Sequence, residues 1–200
     1  MARPVNDKNR ELVQDKIMEA SRRVFCRKGF IGVTMTDLIE AAGISRGGFY
    51  FYYKSVEEVF RATIQNRKKR QFEEIRNSID KKPDFYDLVD SYFVKQKARL
   101  LHLDNSMLRS HYEYLFTHRE ESDAEFRDKQ KNNILRTVND ILKYGVKMKA
   151  IPDEDIKQIA EHFMYALEGL SVMALFQGLT ERTIDQQFSL LKKMLRWQTT

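Results

Sequence analysis

Only three prolines occur among the 200 residues, at positions 4, 83 and 152. Because proline removes a backbone donor and interrupts helices, the long segments between these positions are free to form helices. Apolar residues recur in them at three- and four-residue spacings, and no segment alternates apolar and polar residues with the period of a strand. The sequence therefore predicts an all-α fold.

Capping residues divide this pattern into about nine helices. Thr34, Ser55, Ser122 and Thr183 are each followed, three positions later, by an acidic or amide residue, which is the spacing of a capping box. We predict helices at about residues 6–28, 34–43, 46–52, 55–79, 83–103, 105–117, 122–148, 153–177 and 183–197.

Residues 37–60, DLIEAAGISRGGFYFYYKSVEEVF, form the most informative segment. They indicate a helix, a glycine turn, a very short helix rich in small and aromatic residues, and a capped helix. A helix-turn-helix of this kind places a few side chains in the major groove of DNA. The segment therefore predicts a DNA-binding regulator.

The charge distribution agrees with this interpretation. Residues 1–70 contain 15 Lys and Arg against 8 Asp and Glu, whereas residues 71–200 contain 20 against 21. The whole basic excess thus lies with the helix-turn-helix, where it would neutralise phosphates. The alternative is a basic surface that is merely solvated.

Other classes of protein find no support in the sequence. A single Cys excludes an intramolecular disulfide framework, and no Cys/His spacing suggests a metal site. The first residues lack the apolar run of a signal peptide, and no 18 consecutive residues are apolar. Nucleophile elbows and glycine-rich phosphate loops are absent. We therefore expect a cytoplasmic protein that is not an enzyme, with no cofactor, no metal and no membrane partner.

Residues 12–60 resemble the DNA-binding domain of the tetracycline-repressor (TetR) family of bacterial regulators. The resemblance lies in VFCRKGF at the end of the first helix, then TMTDLIEAAGIS, then RGGFYFYYKSVEEVF. It implies a DNA-binding domain at 1–55 and a ligand-binding and dimerisation domain at 56–200, with the helix 56–79 shared.

The resemblance also implies a function. We expect a homodimeric repressor that binds a palindromic double-stranded operator and is released by a small hydrophobic or aromatic effector. The alternative is a DNA-binding protein of the same fold that a protein partner controls, or that acts as an activator, without a small-molecule effector.

The residue chemistry of the motif suggests how it would contact DNA. Hydroxyls can bond phosphate oxygens, a helix N-terminus favours anions, and Arg46 has the reach for a bidentate contact to guanine. Glycines would permit close approach. The predicted DNA-binding residues are Thr34, Thr36, Ser45, Arg46, Gly47, Gly48, Tyr50, Tyr52 and Lys54.

Simpler roles remain open for some of these residues. Thr34 and Ser45 are equally good helix caps. Members of the family commonly carry Lys where this chain has Val56, so one phosphate contact is in doubt. The glycine pair lowers helix propensity, and we predict that Gly48→Ala raises thermal stability. A minor-groove contact by Arg3 is a further alternative.

Apolar stripes run along the last two helices. The resemblance implies that these helices pack with their twins in a four-helix dimer interface, and the alternative is that both stripes serve only the core of one chain. The predicted interface residues are Phe163, Leu167, Leu170, Ala174, Ile184, Phe188, Leu191 and Leu195. Aromatic and sulfur-containing residues of the fifth, sixth and eighth helices would line an effector pocket, or else belong to ordinary core. The predicted pocket residues are Phe93, Leu100, Met107, His111, Tyr112, Phe116, Phe163 and Tyr165.

Overall fold

The computed structural model describes residues 4–196, and these form nine α-helices, two short 3-10 turns and no strand, which confirms the all-α prediction. Arg3 and the predicted helix end at Trp197 lie outside the described residues. The helices are α1 Pro4–Lys28, α2 Met35–Ala42, α3 Arg46–Tyr52, α4 Val56–Asp80, α5 Phe85–Leu101, α6 Leu108–Thr117, α7 Ala124–Lys147, α8 Ile156–Gln177 and α9 Glu181–Arg196.

The chain divides into two compact units. Unit 1 holds the chain up to Lys69 together with Asp104–His118, and unit 2 holds Arg70–Leu103 and the chain from Arg119 onward. Helix α4 therefore begins in unit 1 and ends in unit 2. Helix α6 packs within unit 1, although it lies in the predicted C-terminal domain, 56–200. That domain prediction concerns function, which packing alone does not test.

Unit 1 is built around an aromatic core. Phe25 of α1 and Phe60 of α4 are fully buried, with ring centroids 5.1 Å apart in an edge-to-face arrangement. Phe30 lies 5.0 Å from Phe60 and 5.0 Å from Tyr114 of α6. Such pairs add to the free energy gained by burying the rings. The three elements that carry them are thereby held together.

Unit 2 packs α5 against α7, α8 and α9. Phe93 of α5 stacks on Phe188 of α9 at 4.4 Å and lies 5.8 Å from Phe163 of α8. Tyr144 of α7 donates a hydrogen bond to the carbonyl of Pro83 at 2.6 Å. The end of α7 thus lies beside the start of α5, so the two helices run in opposite directions.

The predicted caps of α2 and α3 are present in the structure, whereas those of α7 and α9 are not. The Thr34 hydroxyl caps α2, and the Ser45 hydroxyl caps α3 by accepting from the amide of Gly48 at 3.2 Å. At Ser122 the prediction was wrong, because residues 121–123 form a 3-10 turn and α7 has no side-chain cap. Helix α9 starts earlier than Thr183, since the amide of Thr183 is capped by the hydroxyl of Thr180.

Helix α8 is long and apolar enough to cross a membrane when only its length and composition are considered, with a mean hydropathy of 1.2 over 18 residues. Core helices of soluble proteins share this property. In unit 2, α8 buries Phe163, Leu167 and Ala174, so its apolar character is used in packing.

Candidate functional site

The turn between α2 and α3 fixes the angle of the short third helix. Gly43 adopts a left-handed conformation, with φ of 62°, and its amide donates to the carbonyls of Ile39 and Glu40. This conformation favours glycine, which has no Cβ to clash. Leu38 and Phe49 are fully buried and anchor the two helices in the core of unit 1. The opposite face of α3 is therefore directed outward.

Thr34 is held in a reciprocal capping box at the start of α2. Its hydroxyl accepts from the amide of Asp37 at 3.2 Å and donates to the Asp37 carboxylate at 2.9 Å. Lys28 of α1 donates to the same carboxylate at 2.6 Å. The Lys28 hydrogen bond, followed by those from Thr34, lowers the pKa of Asp37 to about 2. Thr34 therefore serves as a cap, while Thr36 is exposed beside it.

The first turn of α3 presents a cation and an open glycine. Arg46 is exposed, with its guanidinium carbon 5.7 Å from the centre of the Tyr50 ring. A Cβ added at Gly47 would meet no atom within 4 Å, whereas one at Gly48 would lie 3.1 Å from the Ser45 hydroxyl. Gly47 is thus the position of α3 where the backbone itself is most accessible.

Phe51 is a surface residue that was not among the predicted contacts. Its side chain is 64% exposed, and the guanidinium of Arg10 in α1 lies 5.5 Å from its ring centre. In a helix Phe51 lies one turn after Gly47 and opposite the buried Phe49. The helical spacing of RGGFYFY was therefore sufficient to identify Gly47 and Phe51 as the outermost positions of α3.

The remaining predicted contacts flank this face. Tyr50 and Tyr52 are partly exposed, and Lys54 is exposed just after the helix. The ammonium of Lys54 donates to the carbonyl of Tyr50, and the Lys54 amide donates to the Glu58 carboxylate at 2.6 Å. The end of α3 is in this way tied to the first turn of α4.

Helix α6 contributes a carboxylate to unit 1 that sequence reasoning missed. Glu113 accepts hydrogen bonds from the backbone amides of Phe30 at 2.5 Å and Ile31 at 3.1 Å, in the connection between α1 and α2. Arg109 donates to the same carboxylate at 2.7 Å. Burial opposes ionisation, but the hydrogen bonds from Ile31, Arg109 and Phe30 outweigh it and hold the pKa of Glu113 below its usual value.

A second set of contacts joins α6 to the start of α4. The Tyr114 hydroxyl accepts from Nε of Arg61 at 2.6 Å and donates to Glu57 at 3.2 Å. Arg61 and Glu57 also form an ion pair at 2.6 Å. The Tyr114 ring is fully buried and stacks on His118 with centroids 4.1 Å apart. No sequence motif marks these residues, because their partners are about 50 positions away along the chain.

The predicted pocket residues are divided between the two units. Met107, His111, Tyr112 and Phe116 belong to unit 1, while Phe93, Leu100, Phe163 and Tyr165 belong to unit 2. Six of the eight are buried or half-buried, whereas the rings of Phe116 and Tyr165 are 59% and 61% exposed in the single chain. They were selected for aromatic character, which does not distinguish a surface ring from a buried one.

The predicted dimer interface residues are all buried within one chain. None of the eight is more than 9% exposed, since the stripes of α8 and α9 pack into the core of unit 2. Both helices also leave some apolar side chains exposed. These are Tyr165, Val172, Met173 and Phe176 on α8, and Leu190 on α9.

Residues 17–63 match the family described as bacterial regulatory proteins, tetR family. Over 181 residues the chain is 28% identical to the uncharacterized HTH-type transcriptional regulator YfiR of Bacillus subtilis, spanning 88% of this chain and 86% of that protein. A shorter segment is 30% identical to IcaR of Staphylococcus epidermidis, the negative regulator of the biofilm operon icaADBC, over 27% of this chain and 29% of that protein.

Solved structures share the fold. Reduced NemR of E. coli has a TM-score of 0.73 at 13% identity, covering 90% of this chain and 96% of that one. CifR, a TetR family regulator solved as a cysteine mutant with 26 bp of operator DNA, has a TM-score of 0.65 at 18% identity, covering 92% and 95%. Relatives of this chain are regulators rather than enzymes. The chain therefore carries, at residues 17–63, the helix-turn-helix domain of the tetR family of bacterial regulatory proteins.

Proposed function

We propose that the protein is a cytoplasmic repressor that binds a palindromic operator as a homodimer and leaves it when a small, largely apolar effector binds. The observation that carries the proposal is the outward face of α3, where Arg46, Gly47 and Phe51 are presented from a capped and well-packed framework. The basic excess of residues 1–70 supports the same function.

Each exposed group of α3 suits a different part of the operator. Arg46 would donate two hydrogen bonds to one guanine, and the Phe51 ring would contact a thymine methyl group. Gly47 lets the backbone approach the groove. Thr36, Tyr50, Tyr52 and Lys54 flank this face and would contact phosphates, which fix the position of the helix without reading sequence.

Dimerisation would use the exposed apolar side chains of α8 and α9. Phe176 is 82% exposed and Tyr165 is 61% exposed, which is unusual for large apolar residues of a soluble helix pair. A two-fold symmetric dimer that fits two half-sites one turn of DNA apart presents its two recognition helices about 34–36 Å apart. The palindromic operator follows from that symmetry.

Release would pass through α6. Its residues Glu113 and Tyr114 bond to the α1–α2 connection and to the first turn of α4. A displacement of α6 would therefore strain both elements and misplace α3. An effector that favours the displaced state by about 1–3 kcal/mol would be enough for a typical allosteric response.

Selection of bound sites from random duplex DNA, at two salt concentrations, tests the proposal. A single palindrome that survives the higher salt supports a specific dimeric regulator. Binding that ignores sequence and disappears with salt contradicts it. Reporter expression with the selected site placed at a promoter then separates repression from activation.

The name of one relative favours repression over the alternative functions. IcaR is called a negative regulator, and CifR was solved on operator DNA. Control by a protein partner, without a small effector, remains the second candidate. Specific operator binding that no small molecule in a broad screen weakens, but that a cell extract does weaken, would favour it.

A further inference from the structure

The interior of unit 2 contains polar groups whose hydrogen bonds are not satisfied. Gln130 of α7 is only 4% exposed, and both atoms of its side-chain amide lack a partner among the described residues. Nε of Arg99, on α5, is also buried without a partner. Buried polar groups in folded proteins are nearly always hydrogen-bonded, so an unsatisfied amide and guanidinium indicate a missing ligand or water.

Arg99 forms no ion pair among the described residues. Its Nη2 donates to the hydroxyl of Ser171 on α8 at 2.9 Å, and that hydroxyl in turn donates to the carbonyl of Leu167 at 2.7 Å. Within residues 4–196 no carboxylate oxygen lies within 4.0 Å of a nitrogen of Arg99. A partly buried cation without an anion is a binding site for one.

The helix register brings Gln130 to the level of Arg99. Helices α5 and α7 run in opposite directions, and Phe85 of α5 lies against Gly145 of α7. At a rise of 1.5 Å per residue, Arg99 lies roughly 21 Å beyond Phe85, and Gln130 lies roughly 22 Å before Gly145. The two side chains are therefore at matching positions along α5 and α7, and these positions, together with Ser171 on α8, define one layer of unit 2.

The side chains next to this layer are apolar and aromatic. Phe93 contacts Phe163 and Phe188, and all three rings are buried. Tyr92 lies on the same face of α5 as Arg99, two turns earlier, and burial raises the pKa of its hydroxyl to about 12. The surroundings thus suit the carbon skeleton of a ligand whose polar end meets Arg99.

We propose that unit 2 binds an amphipathic monocarboxylic acid, with its carboxylate paired with Arg99 and hydrogen-bonded by the amide of Gln130, and its chain or ring packed beside Phe93 and Phe163. This inference deepens the proposed function, on which it rests, by naming the chemical class of the effector.

Binding of defined acids to the full-length protein without DNA tests the site directly. Calorimetric titrations would compare benzoate, 4-phenylbutyrate and decanoate with their uncharged primary amides. We expect at least one acid to bind tenfold or more tightly than its amide. Arg99→Met should remove that preference, and Gln130→Leu should weaken the acid about fivefold. Lys95→Met, which removes an exposed cation of the same helix, is the matched control and should change nothing.

The outcomes are distinct. Equal binding of acids and amides, no binding of any acid at millimolar concentration, or an acid preference that survives Arg99→Met would each overturn the proposal, leaving water as the partner of Gln130. Melting curves of each variant without ligand show whether it is folded. Operator binding is measured in parallel on the same samples. It distinguishes a failure of this acid-binding site from a failure of the proposed regulatory function. Acid binding that leaves operator affinity unchanged would retain this site and refute its role as the effector site.

Discussion

Removal of the Glu113 carboxylate gives the sharpest test of how α6 supports unit 1. In Glu113→Ala the amides of Phe30 and Ile31 lose their acceptor, and Arg109 loses its partner. Hydrogen bonds to a charged group contribute about 1.5–3 kcal/mol each in favourable cases. Because the Glu113 side chain is 20% exposed and the amide of Ile31 reaches solvent, we expect a total loss of about 2 kcal/mol in the free energy of unfolding. For a chain of this size that is a fall of roughly 4–8 °C in Tm.

The pH dependence identifies the charge as the cause. The pKa of Glu113 is lower in the folded protein than in the unfolded chain, so its contribution is complete above the unfolded pKa of about 4.3. It disappears as the pH falls through the lower folded value. The difference in Tm between the native protein and Glu113→Gln should therefore be full at pH 7 and decrease below about pH 4.

Urea and thermal unfolding at pH 7 and at acidic pH would measure both effects. Glu125→Ala is the matched control, because Glu125 forms only an exposed pair with Lys129 on its own helix. A Glu113→Ala variant as stable as this control would refute the reasoning. A double-mutant cycle with Gly29→Ala adds a second check. A Cβ at Gly29 would overlap the Glu113 carboxylate, so the double variant should be about 2 kcal/mol more stable than the sum of the single changes predicts.

Other predictions follow from single positions. Gly47→Ala should raise the stability of α3 by about 0.5–1 kcal/mol, because the added methyl group meets no atom. The same change should lower operator affinity in a mobility-shift assay, and unchanged affinity would argue against close approach of the backbone to DNA. Gly145→Ala would place a methyl group 2.5 Å from the Phe85 ring and should cost about 1–3 kcal/mol on thermal unfolding, a result that a fully stable variant would contradict. Tyr114→Phe keeps the ring stacking but loses the hydrogen bond from Arg61. The effector concentration that releases DNA should therefore change, and an unchanged concentration would contradict the role of this bond. Phe51→Ala should weaken binding to the normal operator about fivefold and leave binding to an operator with uracil in place of thymine unchanged. An equal loss of affinity for the two operators would exclude a contact with the thymine methyl group.

Local rules were sufficient for the helices and for the motif. Thr34, Gly43 and Ser45 have the cap and turn roles that their side chains or backbone favour, and α3 begins and ends at the predicted residues, 46 and 52. Where two caps compete the prediction fails, as at Thr183, whose amide is capped by Thr180. The period of the apolar residues locates a helix. Which of two neighbouring residues caps that helix depends on the path of the connecting chain.

The sequence did not predict which helices pack against one another. Apolar periodicity identified Phe188 and Leu191 as residues of a buried face, but burial in one chain and burial between two chains give the same pattern. The contacts of Glu113 and the isolated amide of Gln130 depend on which helices meet, and no spacing along the chain encodes that. Phe51 is different, because its helical position was readable from the sequence.

The assignment of α6 to unit 1 has a consequence for protein engineering. A fragment that stops after α4 lacks Glu113 and Tyr114, so the amides of Phe30 and Ile31 lose their acceptor and Phe60 loses the ring that stacks on it. Such a fragment should be insoluble or poorly ordered. A chimera that transplants the operator specificity of this chain onto another regulator must therefore exchange two separate segments, the chain up to Lys69 and residues 104–118, rather than an N-terminal module alone.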